Sequence, residues 1–273
     1  MTEVATVRGR GFSVRRQPGF ATVAALCFFI LYLPITVLTV YSFNAGVSIA
    51  IWEGFSLRWY AQAWQNQQVQ DASIRSLVIA SFAAAISTAV ATLAGLATTR
   101  TKGFRGMTAI YAMINQPLMV PEIVTGVSLL VFFAMVKVYT GYYGLGYLIA
   151  AHTAFCIPFA YLPIRARLEN MDLALERAAA DLYATPWMTF RRVTLPLMLP
   201  GIMAGFMLAF VISLDNVVIT ELVKSAGQDT LPTYMLGQLR RVITPEMNAI
   251  ATVFLALSVT IVTIFFFLNR KRP

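Results

Sequence analysis

Long apolar stretches alternate with short polar ones along the whole chain. A membrane-crossing helix needs about 20 consecutive, mostly apolar residues, and six stretches meet that length. They lack the strand-like alternation of apolar and polar residues, and backbone in lipid must satisfy its own hydrogen bonds, so each is predicted to be helical. The pattern predicts an all-α integral membrane protein with six transmembrane helices, at residues 19–41, 76–99, 107–136, 144–164, 197–222 and 247–268.

The composition excludes a soluble domain. Hydrophobic residues make up 58% of the 273 residues and charged residues only 12%, about half of the usual charged share. The net charge of +9 then indicates basic loops at one membrane face rather than binding to nucleic acid. The first apolar stretch is longer than a signal-peptide core and no small-residue cleavage site follows it, which predicts a retained anchor.

Basic residues are unevenly divided between the two sides that six spans create. With the N-terminus in the cytoplasm, 15 of the 21 lysines and arginines fall on the cytoplasmic side, as the positive-inside rule favours. We therefore expect a cytoplasmic N-terminal tail (1–18), a six-helix domain (19–268) with a long cytoplasmic loop (165–196), and a cytoplasmic C-terminal tail (269–273).

Two spans carry internal signals. The second is built from alanine, serine and glycine at spacings that let helix backbones approach closely, so it is expected to pack inside a bundle. The third contains Pro117 and Pro121. Each proline removes a backbone donor, which predicts a kink in this span.

The loop at 165–196 is the most polar stretch of the chain. Its alanine and leucine content predicts a short helix at 175–187, with Pro186 expected to end it. Leu175, Ala178, Ala179 and Leu182 form an apolar stripe on this helix. Such a stripe fits a groove on a second protein or a layer of lipid headgroups, and the residues alone leave both open.

The same loop resembles the cytoplasmic loop of permease subunits in bacterial binding-protein-dependent ABC importers. That motif runs Glu-Ala-Ala, three residues, Gly, nine residues, then Ile-x-Leu-Pro, and this chain matches it at Ala178, Ala179, Leu195 and Pro196, with Val193 at the Ile position. Arg177 replaces the usual Glu, and Tyr183 replaces a Gly that permits positive φ. We therefore expect the turn after the helix to be built differently.

The resemblance implies a type I ABC importer permease fold, a cytoplasmic helix that docks on an ATPase subunit, and an inner-membrane location. It implies a second permease, two ATPase copies and a periplasmic solute-binding protein as partners, with ATP and Mg²⁺ bound by the ATPase subunits. This chain has no Walker motif of its own. The residues that would couple it to the ATPase are Glu176, Arg177, Ala178, Ala179, Asp181, Leu182, Tyr183 and Ala184.

Further stretches are similar to the second permease of spermidine/putrescine importers. They are Tyr41-Ser42-Phe43-Asn44, Gly54-Phe55-Ser56 with Trp59-Tyr60, His152-Thr153 with Phe155-Cys156, Ser213-Leu214-Asp215 and Pro245-Glu246-Met247-Asn248-Ala249. This likeness implies import of polyamines. Those permeases tend to carry two consecutive acids where this chain has Asp215-Asn216. With one acid fewer the negative field is weaker, so the choice among putrescine, an amino acid and an opine-like solute stays open.

Ionised side chains in a membrane usually mark a pathway because they are costly to insert. Three acids fall within predicted spans, namely Glu122, Asp215 and Glu221. We expect Glu122 and Asp215, with Asn216, to line a pathway for a cation, although an intramembrane acid can instead pair with a partner subunit. Trp59 and Tyr60 in the outer loop are candidates for cation–π contacts with the solute.

No enzymatic constellation is visible in the sequence. His152 is the only histidine, lacks a second ligand at metal-binding spacing, and is expected to hydrogen-bond a neighbouring helix. We therefore predict no catalytic residue and no metal site. Two alternatives remain: an ion-gradient-driven transporter that uses Glu122 and Asp215 as carriers, and an intramembrane enzyme that uses His152 with an acid.

Overall fold

A computed structural model describes residues 18–48, 51–101, 103–240 and 244–269. The tail at 1–17, Lys102 and the basic residues 270–272 lie outside the described residues. The predicted cytoplasmic placement of both tails therefore stays a prediction.

The described residues form twelve α-helices and one π-helical turn, with no strand beyond a single bridge between Asn44 and Phe55. The helices are α1 (Pro18–Tyr41), α2 (Arg58–Gln65), α3 (Gln67–Thr99), α4 (Met107–Met119), α5 (Glu122–Thr140), α6 (Gly146–Glu169), α7 (Ala174–Asp181), α8 (Pro186–Thr189), the π-helical turn (Phe190–Thr194), α9 (Leu195–Leu214), α10 (Val218–Val223), α11 (Leu231–Leu239) and α12 (Pro245–Asn269).

Six helical segments of the described chain are long and apolar enough to cross a membrane, which confirms the predicted number of spans. Helix α3 is longer than predicted, because Asn66 caps its start by accepting a hydrogen bond from the backbone of Gln68. Its 33 residues extend for about 50 Å at 1.5 Å per residue. The segments are Gly19–Tyr41, Gln67–Thr99, Glu122–Thr140, Gly146–Glu169, Pro186–Leu214 and Pro245–Phe267.

The third predicted span is interrupted rather than merely kinked. Helix α4 ends at Met119, Val120 is extended with ψ 135°, and α5 restarts at Glu122. Pro121 explains the interruption, because a proline disfavours the helical conformation in the residue before it. Pro117 lies within α4. The predicted span at 107–136 was therefore wrong in extent, and the membrane-length helix is α5.

The fifth predicted span was expected to be one helix at 197–222, and this was wrong. Helix α9 ends at Leu214 and α10 begins only at Val218. The intervening residues include Asp215 and Asn216, whose short polar side chains compete with the backbone for hydrogen bonds and so favour helix ends. A break in a membrane helix is tolerated where protein or a cavity satisfies the freed backbone groups.

The described chain divides into two compact units, Met1–Ala61 with Thr244–Thr252 and Gln62–Ile243 with Val253–Pro273. In the first unit, the Asn44 side chain organises the loop that follows α1. Its amide nitrogen donates to the carbonyls of Ser48 and Ile51 at 3.0 and 2.7 Å. Its oxygen accepts from the Glu53 backbone at 2.8 Å. One asparagine therefore satisfies backbone groups from both sides of the loop.

The core of the second unit lies among α3, α6 and α9. Ala83, Ala84, Ser87 and Ala91 of α3 are fully buried, which confirms that this small-residue helix packs inside. Helix α9 packs closely against α6, since a Cβ added to Gly205 would lie only 2.7 Å from the carbonyl oxygen of Ala160. Small residues thus let α3 pack inside the core and bring the backbones of α6 and α9 into contact.

Candidate functional site

A polar cluster surrounds the break between α9 and α10. Glu122, the first residue of α5, accepts a hydrogen bond from the side-chain amide of Asn216. The oxygen of the same amide accepts from the backbone N–H of Ile219 at 2.9 Å, as asparagine does at helix starts. Asn216 is buried. One amide therefore satisfies a backbone N–H in the first turn of α10 and holds the Glu122 carboxylate beside the break.

His152 of α6 spans the same break from another side. Its Nδ1 lies 2.8 Å from the hydroxyl of Ser213 in α9, and its Nε2 lies 3.0 Å from the hydroxyl of Thr220 in α10. The Thr220 hydroxyl also donates to the Asn216 carbonyl at 3.0 Å, which leaves its oxygen as the acceptor for Nε2–H. The prediction that His152 bonds a neighbouring helix is confirmed, and the imidazole fixes how α9 and α10 meet.

The cluster contains two acidic side chains. Asp215 is exposed, Glu122 is half-buried, and the two carboxylates are close enough for their charges to interact. Among the described residues neither forms an ion pair. One turn along α5 from Glu122, the hydroxyl of Thr125 is buried with no partner among those residues. The structure therefore brings Glu122, Asp215 and Asn216 together, whereas their role in lining a solute pathway stays a prediction.

Glu221, the third predicted intramembrane acid, has a different environment. Its carboxylate lies 2.6 Å from the Lys224 ammonium, which also contacts Asp229 at 2.7 Å. Burial alone lowers the pKa of Lys224, but its hydrogen bonds and charge interactions with Asp229 and Glu221 outweigh burial and raise the pKa above its ordinary value. Glu221 is thus charge-compensated, unlike Glu122 and Asp215.

Helix α5 contacts α10 beyond the polar cluster. A Cβ at Gly126 would lie 2.6 Å from Cδ1 of Leu222, so the missing side chain makes room for α10. Farther along α5, the Lys137 ammonium donates to the carbonyl of Val223 and the hydroxyl of Ser225, both at 3.1 Å. The short α10 is therefore held at both ends by α5.

Trp59 and Tyr60 lie in the first unit, where both side chains bind the loop after α1. The Trp59 indole donates to the Asn44 carbonyl at 2.9 Å, and the Tyr60 hydroxyl lies 2.6 Å from the Ser42 hydroxyl. The Arg58 guanidinium lies 4.2 Å above the Trp59 ring, which is buried. These contacts stabilise the loop, and a role for the two rings in solute passage stays a prediction.

The polar loop folds as two short helices, α7 and α8, which we call the α7–α8 segment (residues 174–189). One continuous helix at 175–187 was predicted, with Pro186 at its end, and this was wrong. Pro186 is instead the first residue of α8, where its missing N–H costs nothing. The side chain of Thr185 caps α8 by accepting from the Met188 backbone.

The turn after α7 keeps the conformation that the usual glycine would adopt. Tyr183 has a φ of +59°, in the left-handed region that non-glycine residues seldom occupy. The N–H groups of Tyr183 and Ala184 donate to the carbonyls of Ala180 and Ala179, at 2.9 and 3.0 Å, which is the Schellman pattern of helix ends. The expectation of a differently built turn was therefore wrong, because these two hydrogen bonds hold the tyrosine in the strained conformation.

The α7–α8 segment exposes several large apolar side chains together with two charged ones, Arg177 and Asp181. Leu182 is 81% exposed and Tyr183 is 96% exposed. Large exposed apolar groups in a contiguous patch mark interaction surfaces. The exposed residues of the segment also include Leu175, Arg177, Ala178, Asp181 and Trp187.

Glu176 alone among the predicted coupling residues forms an ion pair in the described structure. Its carboxylate lies 3.1 Å from Nε of Arg100 at the end of α3, and it accepts from the Thr194 hydroxyl at 3.0 Å. Arg100 and Thr194 were not predicted as functional residues. Hydropathy places them only at span ends, and no local pattern joins positions 76 residues apart.

Comparison with known proteins identifies the class. Residues 89–272 match the family model described as the binding-protein-dependent transport system inner membrane component. The match covers well over half of the chain, and the chain belongs to this family of permeases. It is the permease component of an ABC importer and a multi-pass membrane protein, and its relatives are membrane subunits rather than enzymes.

Named relatives show which kind of permease the chain is similar to. The chain is 36% identical over 245 residues to the putrescine transport system permease protein PotI of Escherichia coli K12, covering 89% of this chain and 87% of the relative. It is 37% identical over 241 residues to the spermidine/putrescine transport system permease protein PotC of Haemophilus influenzae, covering 88% and 92%. The resemblance to the second permease of polyamine importers is therefore confirmed.

Solved structures confirm the fold. A bacterial ABC transporter that imports the acidic polysaccharide alginate matches with a TM-score of 0.71 and 17% identity, covering 92% of this chain and 93% of that chain. The MetNI methionine ABC transporter in inward-facing conformations matches with a TM-score of 0.62 and 20% identity, covering 78% and 99%. The predicted type I importer permease fold with six membrane helices is thus confirmed, whereas the orientation of the termini stays a prediction.

Proposed function

We propose that this chain is a pore-forming subunit of an ATP-driven importer for putrescine or a closely related diamine. The observation that supports the solute most directly is the pair of carboxylates of Glu122 and Asp215 at the break between α9 and α10, neither of which forms an ion pair among the described residues. The names of the relatives support the same class of solute.

The chemistry of the cluster favours a cationic solute. A cation about 4 Å from a carboxylate gains up to about 4 kcal/mol at an effective dielectric constant of 20, which offsets part of the cost of removing the cation from water. The other groups of the cluster are neutral hydrogen-bonding groups, including the amide of Asn216 and the hydroxyl of Thr125, which has no partner among the described residues. Neutral groups orient an amine without supplying a competing cation.

Two carboxylates suit two ammonium groups. Asn216 replaces a potential third carboxylate and uses its amide to cap α10 and hold Glu122. A diamine with two charges therefore matches the site better than a longer polyamine with three or more. An amino acid or an opine-like solute would also carry an amine, but its carboxylate would meet negative charge here.

ATP hydrolysis is proposed to reach the pore through the α7–α8 segment. Its exposed apolar residues, with Leu182 and Tyr183 at the tip, fit a groove on a separate ATPase subunit. In this proposal the ATPase binds ATP and Mg²⁺, and its closure on nucleotide moves the segment. The complete assembly contains a second permease, two ATPase copies and a periplasmic binding protein, in the inner membrane with both termini of this chain in the cytoplasm.

A solute panel tests the proposal. The reconstituted complex with its binding protein would be supplied with putrescine, spermidine, a monoamine, a neutral amino acid and an acidic amino acid, and ATP hydrolysis and uptake measured for each. We expect diamines to stimulate both rates most strongly. Stimulation by the acidic or neutral solute in preference to the diamines would refute the proposed substrate. Uptake that follows an ion gradient while ATP is absent would refute the ATP-driven mechanism.

A further inference from the structure

Arg100, Glu176 and Thr194 form a polar junction among four helices. Arg100 closes the C-terminal end of α3, Glu176 lies in α7, and Thr194 is the last residue of the π-helical turn before α9. The Arg100 Nη1 also donates to the carbonyl of Leu168, near the end of α6, at 3.1 Å. We call Arg100, Glu176, Thr194 and the Leu168 carbonyl the Arg100 junction.

The junction is better shielded from water than a neighbouring ion pair of the same residue types. The side chains of Arg100 and Glu176 are 16% and 22% exposed, whereas those of Arg165 and Glu169, which pair within α6, are 35% and 49% exposed. Shielded ion pairs are screened less by salt and solvent than exposed ones. The two pairs therefore form a natural matched comparison near the end of α6.

The side chains of the Arg100 junction make separate hydrogen bonds that few other residues would reproduce. The planar guanidinium of Arg100 directs Nε to the carboxylate and Nη1 to the carbonyl, whereas the single ammonium of a lysine is a point donor without this fork. Glu176 receives a second hydrogen bond from Thr194, which is placed by the π-helical turn. Such turns are often found at functional sites.

The Arg100 junction connects the α7–α8 segment directly to the core of the second unit. Helices α3, α6 and α9 form the core of the second unit, and the far end of α9 is the break that carries Asp215 and Asn216. Helix α7 makes its ion pair to this set through Glu176 alone among the described residues. A displacement of α7 therefore acts on the ends of all three core helices at one point.

We propose that Arg100, Glu176 and Thr194 are positioning residues that transmit movement of the α7–α8 segment to the transmembrane core. The inference rests on the proposed function, since it assumes that an ATPase moves this segment. Glu176 is directed toward the core of its own chain, so it acts in transmission, while the exposed residues of the segment provide the docking surface.

The test distinguishes an effect on the coupling of ATP hydrolysis to solute uptake from an effect on assembly of the complex. Glu176→Gln, Arg100→Gln and the double variant would be assembled with the ATPase subunits, the second permease and the binding protein, and solute uptake per ATP hydrolysed measured for each assembled complex. We expect each single variant to lower this ratio about tenfold, within the range typical of coupling between two sites, while the ATPase subunits still co-purify. Glu169→Gln, which removes the charge of the exposed pair, is the control and should leave the ratio unchanged.

A double-mutant cycle supplies the second measurement. If one junction carries the effect, the double variant loses little more than either single variant, because contacting residues are not additive. Thr194→Val should give a smaller loss in the same direction. An unchanged ratio in Glu176→Gln, fully additive losses, or loss of ATPase co-purification in proportion to uptake would each overturn the inference. Failure of the unaltered complex to couple ATP hydrolysis to uptake would instead refute the proposed function.

Discussion

Glu122 and Glu176 are both held in place by a nitrogen donor, but the donors differ in charge. Glu122 accepts from the neutral amide of Asn216, whereas Glu176 accepts from the guanidinium of Arg100. The first carboxylate is positioned and keeps its negative charge available. The second is positioned and neutralised. The difference separates an acid that forms no ion pair among the described residues from one that is paired with a guanidinium.

The environments of the two acids agree with this distinction. Glu122 lies beside Asp215, a second acid, and among neutral hydrogen-bonding side chains at a helix break. Glu176 lies where the ends of three helices meet, and each of its contacts is made within the chain. Removing charge should therefore affect solute binding at Glu122 and the stability or coupling of the protein at Glu176.

The largest expected effect is on stability at the Arg100 junction. Arg100→Glu would place two acids together, and we expect a loss of about 3 kcal/mol, the lower end of the range for breaking a buried ion pair, because the side chains keep some exposure. The thermal midpoint of the purified complex measures the loss. Arg165→Glu at the exposed pair is the control, with an expected loss below about 1 kcal/mol. Equal losses in the two variants would contradict the distinction.

The next effect is on solute affinity at the intramembrane site. Glu122→Gln keeps an acceptor for Asn216 but removes the charge, so we expect the apparent affinity for a diamine to fall about 10- to 100-fold, or about 1.4–2.8 kcal/mol. Concentration-dependent stimulation of ATP hydrolysis measures this change. The thermal midpoint should stay the same, since no cation loses its partner. A less stable complex with unchanged affinity would reverse the comparison.

A smaller effect is expected at the tip of the α7–α8 segment. Tyr183 occupies the left-handed region, so Tyr183→Gly should relieve backbone strain of about 1 kcal/mol and raise the thermal midpoint. Tyr183→Ala is the matched control, because alanine also removes the ring but keeps the strain. A gain of equal size in both variants would show that the ring, rather than the backbone, is responsible.

The smallest effect concerns Lys224, whose raised pKa follows from Asp229 and Glu221. A raised folded-state pKa gives stability that is present below the ordinary value of 10.5 and is lost as pH rises through the higher folded value. Lys224→Gln should cost about 0.5 kcal/mol at neutral pH, as partly exposed pairs do, and remove this alkaline loss. Thermal midpoints measured at neutral and strongly alkaline pH test it. Lys224→Arg, which stays charged throughout, should remove the alkaline loss without the neutral cost.

Hydropathy and proline chemistry were sufficient to predict most of the fold. Six apolar stretches predicted six spans, and Pro121 predicted a kink at the position where the structure has an interruption, because both signals are local. The break at Asp215 was missed because apolar residues flank it on both sides and keep the hydropathy high. The available signal for this break was the pair of neighbouring polar residues Asp215 and Asn216, because such residues favour helix ends.

The site was predictable where the chemistry is carried by single residues. Acids inside spans are costly, and this alone drew attention to Glu122 and Asp215. The roles of His152, Arg100 and Thr194 depend on partners 18 to 76 residues away in the chain, and one sequence gives no information on such pairs. The positive φ of Tyr183 was missed for another reason. Tyrosine disfavours this conformation, and only the hydrogen bonds of the turn, which are not visible in the sequence, impose it.

The contact between Gly205 and the Ala160 carbonyl limits how access to the membrane interior can change. At Gly205 the backbone of α9 lies against the Ala160 carbonyl and the Ile164 side chain, which leaves no room for a larger residue, and close-packed interiors resist compression. We therefore expect α6 and α9 to move together when the importer opens and closes, with changes between helices taken up at the interruptions near Pro121 and Asp215. Those two interruptions also carry Glu122 and Asp215, which form no ion pair among the described residues, so under the proposed function the solute would bind where the helices are interrupted.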